Sequence, residues 1–360
     1  MKLLKYGVTT IVVMSVCAVL FLLACVLQFE LNYAKKIDLS FNVHPNKLSG
    51  SLLLPEGQAP FPVVIFVHGD GPQDRFANSS YTFIINAFLD KGIACFLWDK
   101  PGVNASTGNW LNQTMEDRAD EILEALNLLA NRPEVNSKKI GVLGFSQGGW
   151  VLPNVAMMSE SRRHKAAFFI SVGGAINWER QGAYFTRTRL QQEGYSTTEV
   201  ETVINYLFTV NKLIKKQASY KKYVKLIRLG KSIKGLNSNP MSKERFRFVS
   251  LNINVDIENK LQYIKSPFLA ILGEKDLNVD TAETASIYQK AFSRAKHSDY
   301  QVVVLNNATH GLLNANSYNF QIFSQWTWQA QLRYLIEGES AFVPGYLSMM
   351  GDWVVERVKR

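Results

Sequence analysis

The feature that constrains this chain most is a serine between two glycines, directly after an apolar run. Residues 140–143 are Ile-Gly-Val-Leu, and Gly-Phe-Ser-Gln-Gly follows at 144–148 with Ser146 at its centre. Between a strand and a helix, Gly-x-Ser-x-Gly is a nucleophile elbow, in which a strained turn raises the serine hydroxyl above the edge of a sheet. The glycines are needed because a side chain at either position would crowd the turn. The pentapeptide alone is a weak signal, so its meaning depends on the elements and partners around it.

Apolar runs typical of buried strands alternate with amphipathic segments along most of the chain. With 360 residues, 47% of them hydrophobic, the chain can bury a full core. Strands that alternate with helices indicate a mainly parallel sheet with helices on both faces. The pattern predicts strands at 37–43, 47–54, 62–68, 92–98, 140–143, 166–172, 267–272 and 300–305, and helices at 80–89 and 115–130.

This alternation stops between residues 178 and 262. Apolar spacing there indicates one amphipathic helix around 200–214 and a second, rich in lysine, around 220–227. We therefore predict an α/β core formed by 37–177 and 263–360, with a helical cap inserted at 178–262.

Nearly all of the net charge of +10 lies within the cap. Between residues 211 and 250, twelve Lys or Arg side chains accompany a single acid, Glu244. Charge confined to one element is not a general nucleic-acid signature, and no nucleic-acid partner is predicted. Three interpretations remain open for this basic segment: a solvated face, a docking surface for anionic lipid headgroups, or a site for an anionic substrate.

Residues 1–30 are predicted to precede the fold as a signal anchor. Lys2 and Lys5 are followed by 24 uncharged residues at 6–29. About 20 apolar residues span a bilayer as a helix, whereas the core of a cleavable signal is usually about 7–15 residues long. A retained transmembrane helix is therefore favoured, and a lipoprotein with Cys25 as its lipidated residue or an ordinary signal peptide are the alternatives. Each interpretation exports the folded domain, to the periplasm, the cell surface or the medium.

A serine hydroxyl is too weak an acid to attack an ester unaided, and His310 and Asp276 are the best-placed partners. The hydroxyl needs a base within hydrogen-bond reach and a carboxylate that orients the base. His310 follows the predicted strand at 300–305, and Asp276 follows the one at 267–272, so both would lie at the carboxyl edge of the sheet, where such sheets bind ligands. The chain order Ser146, Asp276, His310 is that of the α/β hydrolases.

Three other side chains compete for these roles. Asp280 or Glu274 could replace Asp276 as the orienting carboxylate. His297 is the rival base, but it precedes its strand and so would fall at the opposite edge of the sheet.

A glycine-rich turn after the strand at 62–68 supplies free backbone N–H groups for a developing oxyanion. This turn is His-Gly-Asp-Gly at 68–71. We predict the amides of Asp70 and Gln147 as the two donors. His68, with Gly69 and Gly71, is expected to support the loop rather than to transfer protons.

Five motifs together resemble the α/β-hydrolase superfamily, specifically its bacterial carboxylesterase branch. The resemblance spans about 37–340 and implies an eight-stranded sheet, acyl-enzyme hydrolysis, and no metal or organic cofactor. Asp70 departs from the family's usual serine, and Pro101, Asn104 and Ala105 depart in the second motif. The motifs are His-Gly-Asp-Gly-Pro-Gln-Asp-Arg at 68–75, Trp-Asp-Lys-Pro-Gly-Val at 98–103, Ser-Thr-Gly at 106–108, Gly-Phe-Ser-Gln-Gly-Gly at 144–149 and Gly-Glu-Lys-Asp at 273–276.

The leading hypothesis is a serine hydrolase of carboxylic esters, with Ser146 as nucleophile, His310 as base and Asp276 as orienting acid. The expected partners are a small, lipophilic ester, admitted past apolar cap side chains, and a membrane, bound through the N-terminal helix and the basic cap. A serine peptidase or thioesterase on the same residues is the nearest alternative. A non-catalytic, membrane-tethered binding module is the alternative from a different class.

Overall fold

One eight-stranded sheet organises the chain. The computed structural model describes residues 14, 16–17, 19–21 and 23–359. The strands, in chain order, are β1 (Lys35–Val43), β2 (Asn46–Leu54), β3 (Phe61–Val67), β4 (Ala94–Trp98), β5 (Val135–Phe145), β6 (Phe169–Val172), β7 (Phe268–Gly273) and β8 (Tyr300–Leu305).

The sheet is parallel except at one strand. Its order is β1-β2-β4-β3-β5-β6-β7-β8, and β2 runs opposite to both of its neighbours. All other pairings are parallel, and β5 lies between β3 and β6 in the interior of the sheet. The predicted α/β-hydrolase fold with a mainly parallel, eight-stranded sheet is confirmed.

Helices cover both faces of this sheet. We number them α1 (Thr82–Leu89), α2 (Met115–Ala130), α3 (Leu152–Met158), α4 (Trp178–Gln192), α5 (Thr197–Lys215), α6 (Tyr220–Leu229), α7 (Lys243–Asn252), α8 (Thr281–Arg294), α9 (Ala315–Tyr318), α10 (Trp328–Glu337) and α11 (Tyr346–Val358).

The core consists of two apolar clusters, one on each face of the sheet. Along β3, Val63 and Ile65 belong to the cluster under α2, α3 and α8, whereas Val64 and Phe66 belong to the cluster under α1 and α11. All four side chains are fully buried. A strand buried on both faces reads as a continuous apolar run, which is why the sequence pattern located the central strands.

The cap helices α4 to α7 lie between β6 and β7, directly before the strand that leads to Asp276. They enclose two small apolar clusters of their own, one around Tyr223 and Phe246 and one around Leu190 and Val203. The periodicity of the sequence had indicated α5 and α6, but neither α4 nor α7 as a separate helix.

The N-terminal region is described only in part. Among the described residues, no helix has both the length and the hydropathy needed to cross a membrane. Much of the predicted anchor at 1–30, all of 1–13 together with 15, 18 and 22, lies outside the described residues. Residues 23–27 are helical and lead into the chain that reaches β1.

Candidate active site

Ser146 directly follows the central strand, in a conformation that few residues adopt. β5 ends at Phe145, and Ser146 has a φ of 49°, in the left-handed region. A Cβ atom at Gly144 would lie 2.6 Å from the carbonyl oxygen of Gly148, and one at Gly148 would overlap the carbonyl oxygen of Val67. Both positions are therefore restricted to glycine, and the turn presents the serine hydroxyl at the carboxyl edge of the sheet.

His310 and Asp276 form a tight pair at the same edge. His310 Nδ1 donates to Asp276 Oδ2 over 2.7 Å, and the Asp276 side chain is fully buried. The other oxygen, Oδ1, accepts the backbone N–H groups of Asn278 at 2.7 Å and Val279 at 2.9 Å. These bonds hold the carboxylate still, and they leave His310 Nε2 unprotonated and able to accept a proton.

The electrostatic surroundings of His310 raise its pKa above the ordinary value of 6.5. Burial acts to lower this pKa, since it disfavours the charged imidazolium, but the negative charge of Asp276 and its hydrogen bond together outweigh burial. Asp276 therefore also stabilises the imidazolium that forms when His310 takes a proton.

Sheet register relates Ser146 to His310 through Gly173. Phe145 pairs with Val172, so Ser146 and Gly173 are the next residues on two adjacent strands, which run about 4.8 Å apart. A Cβ atom at Gly173 would lie only 3.0 Å from His310 Cε1. Among the described residues, no hydrogen bond joins Ser146 Oγ to His310, although apo sites often have loose catalytic contacts that tighten with substrate.

The three rival side chains are engaged elsewhere. His297 Nε2 contacts the carbonyl oxygen of Ser266 at 3.1 Å, before β8 begins, at the opposite edge of the sheet. Asp280 caps the N-terminus of α8, and Glu274 accepts the backbone N–H of Asn307.

A buried lysine shapes the loop that carries the first predicted oxyanion donor. Lys100 Nζ donates to the carbonyl oxygens of Gly69 at 2.7 Å and Gly71 at 2.9 Å. Neither the Asp70 nor the Gln147 amide donates to a turn or loop carbonyl in the described part of the chain. The assignment of both N–H groups as oxyanion donors stays a prediction.

His68 supports this loop from below. Its side chain is buried, and Nε2 lies 2.7 Å from the carbonyl oxygen of Trp98. Burial is the main cause that lowers the pKa of His68 to about 3, so the ring remains neutral at physiological pH. The ring stacks on Tyr81 with centroids 5.7 Å apart. A neutral, packed imidazole fits the predicted supporting role.

Arg118, a residue that the sequence reasoning missed, connects the two donor segments. It is buried and donates to Gln147 Oε1 at 2.9 Å and to the carbonyl oxygen of His68. One side chain thus spans the oxyanion loop and the elbow. Its place on α2, within a segment predicted only as an amphipathic helix, gave no signal of this role.

The carboxylate of Asp70 is paired with Arg245 of the cap. The guanidinium donates to both carboxylate oxygens, at 2.9 Å and 2.7 Å, and Gln147 Nε2 donates to Oδ1 at 3.2 Å. Burial acts to raise the pKa of Asp70, but the hydrogen bonds and charge of Arg245 more than offset it, so the pKa is lowered. Arg245 therefore compensates for a negative charge that stands beside the oxyanion site.

The first cap helix holds the loop that carries Asp276. Three side chains of α4, three and four residues apart, donate to three successive carbonyl groups of that loop. Gln181 donates to Asn278, Tyr184 to Asp276 and Thr188 to Leu277, at 3.0, 2.9 and 2.7 Å. The cap is thus bonded to the acid loop through α4 and to the oxyanion loop through α7.

A cavity of about 190 Å³ lies over Ser146, between the core and the cap. It is smaller than the roughly 300–1,000 Å³ of a drug-sized pocket. Apolar cap side chains contribute as predicted, together with polar ones. The lining includes Asp70, Gln147, Trp150, Trp178, Phe185 and Arg245.

The described residues contain no cluster of His, Cys, Asp or Glu arranged to hold a metal ion.

Two family models match overlapping parts of the chain. The "Esterase FrsA-like" model matches residues 29–178, and the "BAAT / Acyl-CoA thioester hydrolase C terminal" model matches residues 122–237. Both matches include the nucleophile elbow, and the first also includes the oxyanion loop.

Curated relatives match over about a third of the chain. Esterase EstD of Thermotoga maritima is 29% identical over 120 residues, which are 32% of this chain and 29% of EstD. Esterase FrsA of Escherichia fergusonii is 31% identical over 119 residues, which are 33% of this chain and 27% of FrsA. The chain therefore spans less than a third of the curated relatives that it matches.

A solved esterase structure from Pyrococcus furiosus matches over nearly the whole fold. Its TM-score is 0.53 at 17% identity, and the match covers 89% of this chain and 91% of that one. At this identity the likeness concerns the fold alone. The sheet, the motifs and these matches together identify the chain as an α/β-hydrolase superfamily protein that resembles carboxylesterases.

Proposed function

We propose that this protein is a serine hydrolase that cleaves carboxylic esters through an acyl-enzyme intermediate. The observation that supports this most is the position of Ser146 in a left-handed turn. The strand before Ser146 is separated by one strand from the strand before Asp276, and Asp276 is joined to His310 over 2.7 Å. A nucleophile, a base and an orienting carboxylate at one sheet edge are the parts that acyl transfer requires.

Each group has a defined step. Ser146 Oγ attacks the ester carbonyl carbon while His310 Nε2 takes its proton, and the amides of Asp70 and Gln147 donate to the resulting oxyanion. Collapse of the tetrahedral intermediate expels the alcohol, which receives the proton from His310. Water, deprotonated by His310, then attacks the acyl-enzyme, and His310 returns the proton to Ser146 Oγ as the acid leaves. Asp276 keeps the imidazole in the productive tautomer throughout.

The cavity supports small, uncharged acyl groups as substrates. Its volume of about 190 Å³ restricts chain length, and its one arginine is already paired with Asp70. A free anion in the acyl group would have to compete with this ion pair.

A thioesterase is the second candidate. The match of residues 122–237 to the acyl-CoA thioester hydrolase model favours it, since those residues include the elbow and much of the cap. The same groups would attack a thioester, and the thiolate leaving group would need less help from His310 because a thiol is more acidic than an alcohol.

The proposed site of action is a membrane surface outside the cytoplasm. The uncharged stretch at 6–29 supports export and retention at the membrane, and lipidation at Cys25 or release after cleavage are the alternatives. Protease treatment of intact and lysed cells tests this, because an exported domain is degraded in intact cells once any outer barrier is opened.

A labelling experiment tests the proposed function. A fluorophosphonate probe should label the wild-type chain and should not label Ser146→Ala. Rates on matched p-nitrophenyl esters, thioesters and aminoacyl amides then separate an esterase from a thioesterase and a peptidase. A folded wild-type chain that takes up no probe and hydrolyses none of these compounds would contradict the proposal and favour a binding module.

A further inference from the structure

A row of apolar side chains lies exposed on α10 and on the loop before it. We define this apolar ridge as Ile322, Phe323, Trp328, Leu332 and Ile336, with exposed fractions between 41% and 71%. The three residues on α10 are spaced by four, so they form one stripe along the helix. A contiguous apolar patch on a protein surface marks a binding face more often than single exposed apolar residues do.

Aromatic side chains and a helix cap support the ridge. Trp326 contacts Phe323 and Tyr334, with ring centroids 5.3 Å and 5.6 Å apart. Thr327 caps α10 by accepting the backbone N–H of Ala330. The exposed side chains therefore project from a packed aromatic layer, and burying them costs little ordering of the backbone.

The apolar N-terminal stretch ends against the same helix. Gln28 Nε2 donates to the carbonyl oxygen of Leu335 at 2.7 Å, and Phe29 packs on Tyr334 with centroids 5.5 Å apart. Just before this contact, Leu20, Phe21, Leu23, Val26 and Leu27 are each more than half exposed. The ridge and this stretch are therefore neighbours, and both lack a protein cover in the described structure.

We propose that the apolar ridge docks into the interfacial region of a lipid bilayer. Tryptophan and phenylalanine beside an amphipathic helix are the side chains that bind at the boundary between headgroups and acyl chains. Gln329, Gln331 and Arg333 are exposed between the ridge residues and supply polar flanks.

A bilayer fits this surface better than a second copy of the chain does. A standard protein interface needs about 20–30 residues on each side, and the ridge offers five. A dimer closed over the ridge would leave the exposed leucines of the N-terminal stretch in water, whereas one bilayer accommodates both surfaces.

Docking would also bring the candidate active site to the lipid. The side chain of Gln321, one residue before the ridge, donates to the carbonyl oxygen of Phe185 at 2.8 Å, and Phe185 lines the cavity over Ser146. This part of the proposal rests on the proposed function: a hydrolase whose apolar ridge is docked in the bilayer would take lipophilic esters from the membrane.

Fluorescence quenching by lipid tests the docking without any need for catalysis. The full chain is reconstituted with phosphatidylcholine vesicles that carry brominated acyl chains. Trp328→Phe should remove more than half of the quenching that the bromolipid causes, whereas the matched variant Trp110→Phe, at a ring that packs on Phe248 of the cap, should leave it unchanged. Vesicle-bound chain in which Trp328 contributes no quenching would overturn the proposal, and so would chain that does not bind the vesicles or that buries Trp328 in a dimer.

A kinetic experiment tests the link to substrate access. Leu332→Glu should lower hydrolysis of a vesicle-embedded ester about tenfold, a ratio that corresponds to about 1.4 kcal/mol of lost interfacial binding. Its rate on a water-soluble ester should not change, and Leu229→Glu, at an exposed cap position, should change neither rate. Equal losses on both esters would contradict interfacial access. Quenching at Trp328 in a chain without esterase activity would contradict the proposed function and leave the docking intact.

Discussion

The α/β core and the cap hold the candidate site in different ways. The core positions Ser146, Asp276 and His310 after the ends of β5, β7 and β8, and the side chains of β7 and of the second half of β5 are almost completely buried. The cap has two small apolar clusters, and it reaches the site through side-chain hydrogen bonds, the ion pair of Arg245 with Asp70 and the packing of Trp178 on Trp150. Rigid strand ends fix reacting atoms, whereas polar contacts at an interface can break and form again. We therefore expect the core to position the reacting groups and the cap to control the access of substrate to them.

The largest expected effect is the loss of a reacting group in the core. We expect Ser146→Ala and His310→Ala each to lower kcat about 10³-fold or more, because the two side chains act as one unit. The double variant should be no slower than the poorer single variant. Steady-state kinetics with a soluble p-nitrophenyl ester measure this, and effects that simply multiply would argue against a shared step.

The pH dependence of the reaction tests the His310–Asp276 pair. His310 must be neutral to accept a proton, and its pKa is raised above 6.5, so kcat/KM should rise with pH through a pKa above that value. Asp276→Asn removes the charge that raises this pKa while burial still lowers it. The ascending limb of the residual activity should therefore move to lower pH, and an unmoved limb would contradict the pairing.

A glycine in the core offers a smaller test with a matched control. Gly173 has a φ of 59°, and a Cβ atom there would lie 3.0 Å from His310 Cε1. We expect Gly173→Ala to displace the imidazole and to lower kcat about 10–100-fold. Gly92 has a φ of 74° with no atom within 4 Å of its Cβ position, so Gly92→Ala should cost stability through backbone strain but leave kcat unchanged. Thermal unfolding measures the stability of both variants, and steady-state kinetics measure their kcat.

The ion pair between cap and core should have a moderate effect. Arg245→Gln leaves the Asp70 carboxylate uncompensated beside the oxyanion site, and we expect kcat/KM to fall about three- to tenfold, because both side chains are partly exposed to solvent. Adding Asp70→Asn should restore most of the loss. A double variant as slow as Arg245→Gln would mean that the arginine acts through packing on Trp110 and Phe248 instead.

The lysines on the outer face of the cap should have the smallest effect on hydrolysis. Lys221, Lys222 and Lys225 are exposed and form no ion pair in the described part of the chain. Replacing all three by Gln should change the free energy of unfolding by less than about 0.5 kcal/mol and leave soluble-ester kinetics unchanged. Binding of the full chain to anionic vesicles, compared with neutral ones, then separates a solvated face from a lipid-headgroup surface.

Much of the fold could be predicted from the sequence because its signals are local. The apolar run of β3 is buried on both faces, and the spacing of α2 gave its bounds as Met115–Ala130. The C-terminal helices α10 and α11 were missed. α10 exposes several large apolar residues, and α11 contains a glycine within its span, so neither has the usual pattern of a surface helix.

Only the part of the candidate site that the α/β core contributes could be predicted from the sequence. Ser146 follows its strand directly, and Asp276 and His310 lie in the short loops after theirs, so strand prediction alone brings them to one edge of the sheet. Arg245 lies 175 residues from Asp70, and nothing in its local sequence distinguishes it from eleven neighbouring basic residues. Contacts of this kind depend on how the cap packs on the core, which periodicity does not encode.

The hydrogen bonds from α4 to three consecutive carbonyl groups have a consequence for turnover. The same backbone segment that positions Asp276 is the surface on which the first cap helix rests. Any opening of the cap during the proposed hydrolysis would have to break these hydrogen bonds, so the loop of Asp276 would be held less firmly in an open form than in the closed one.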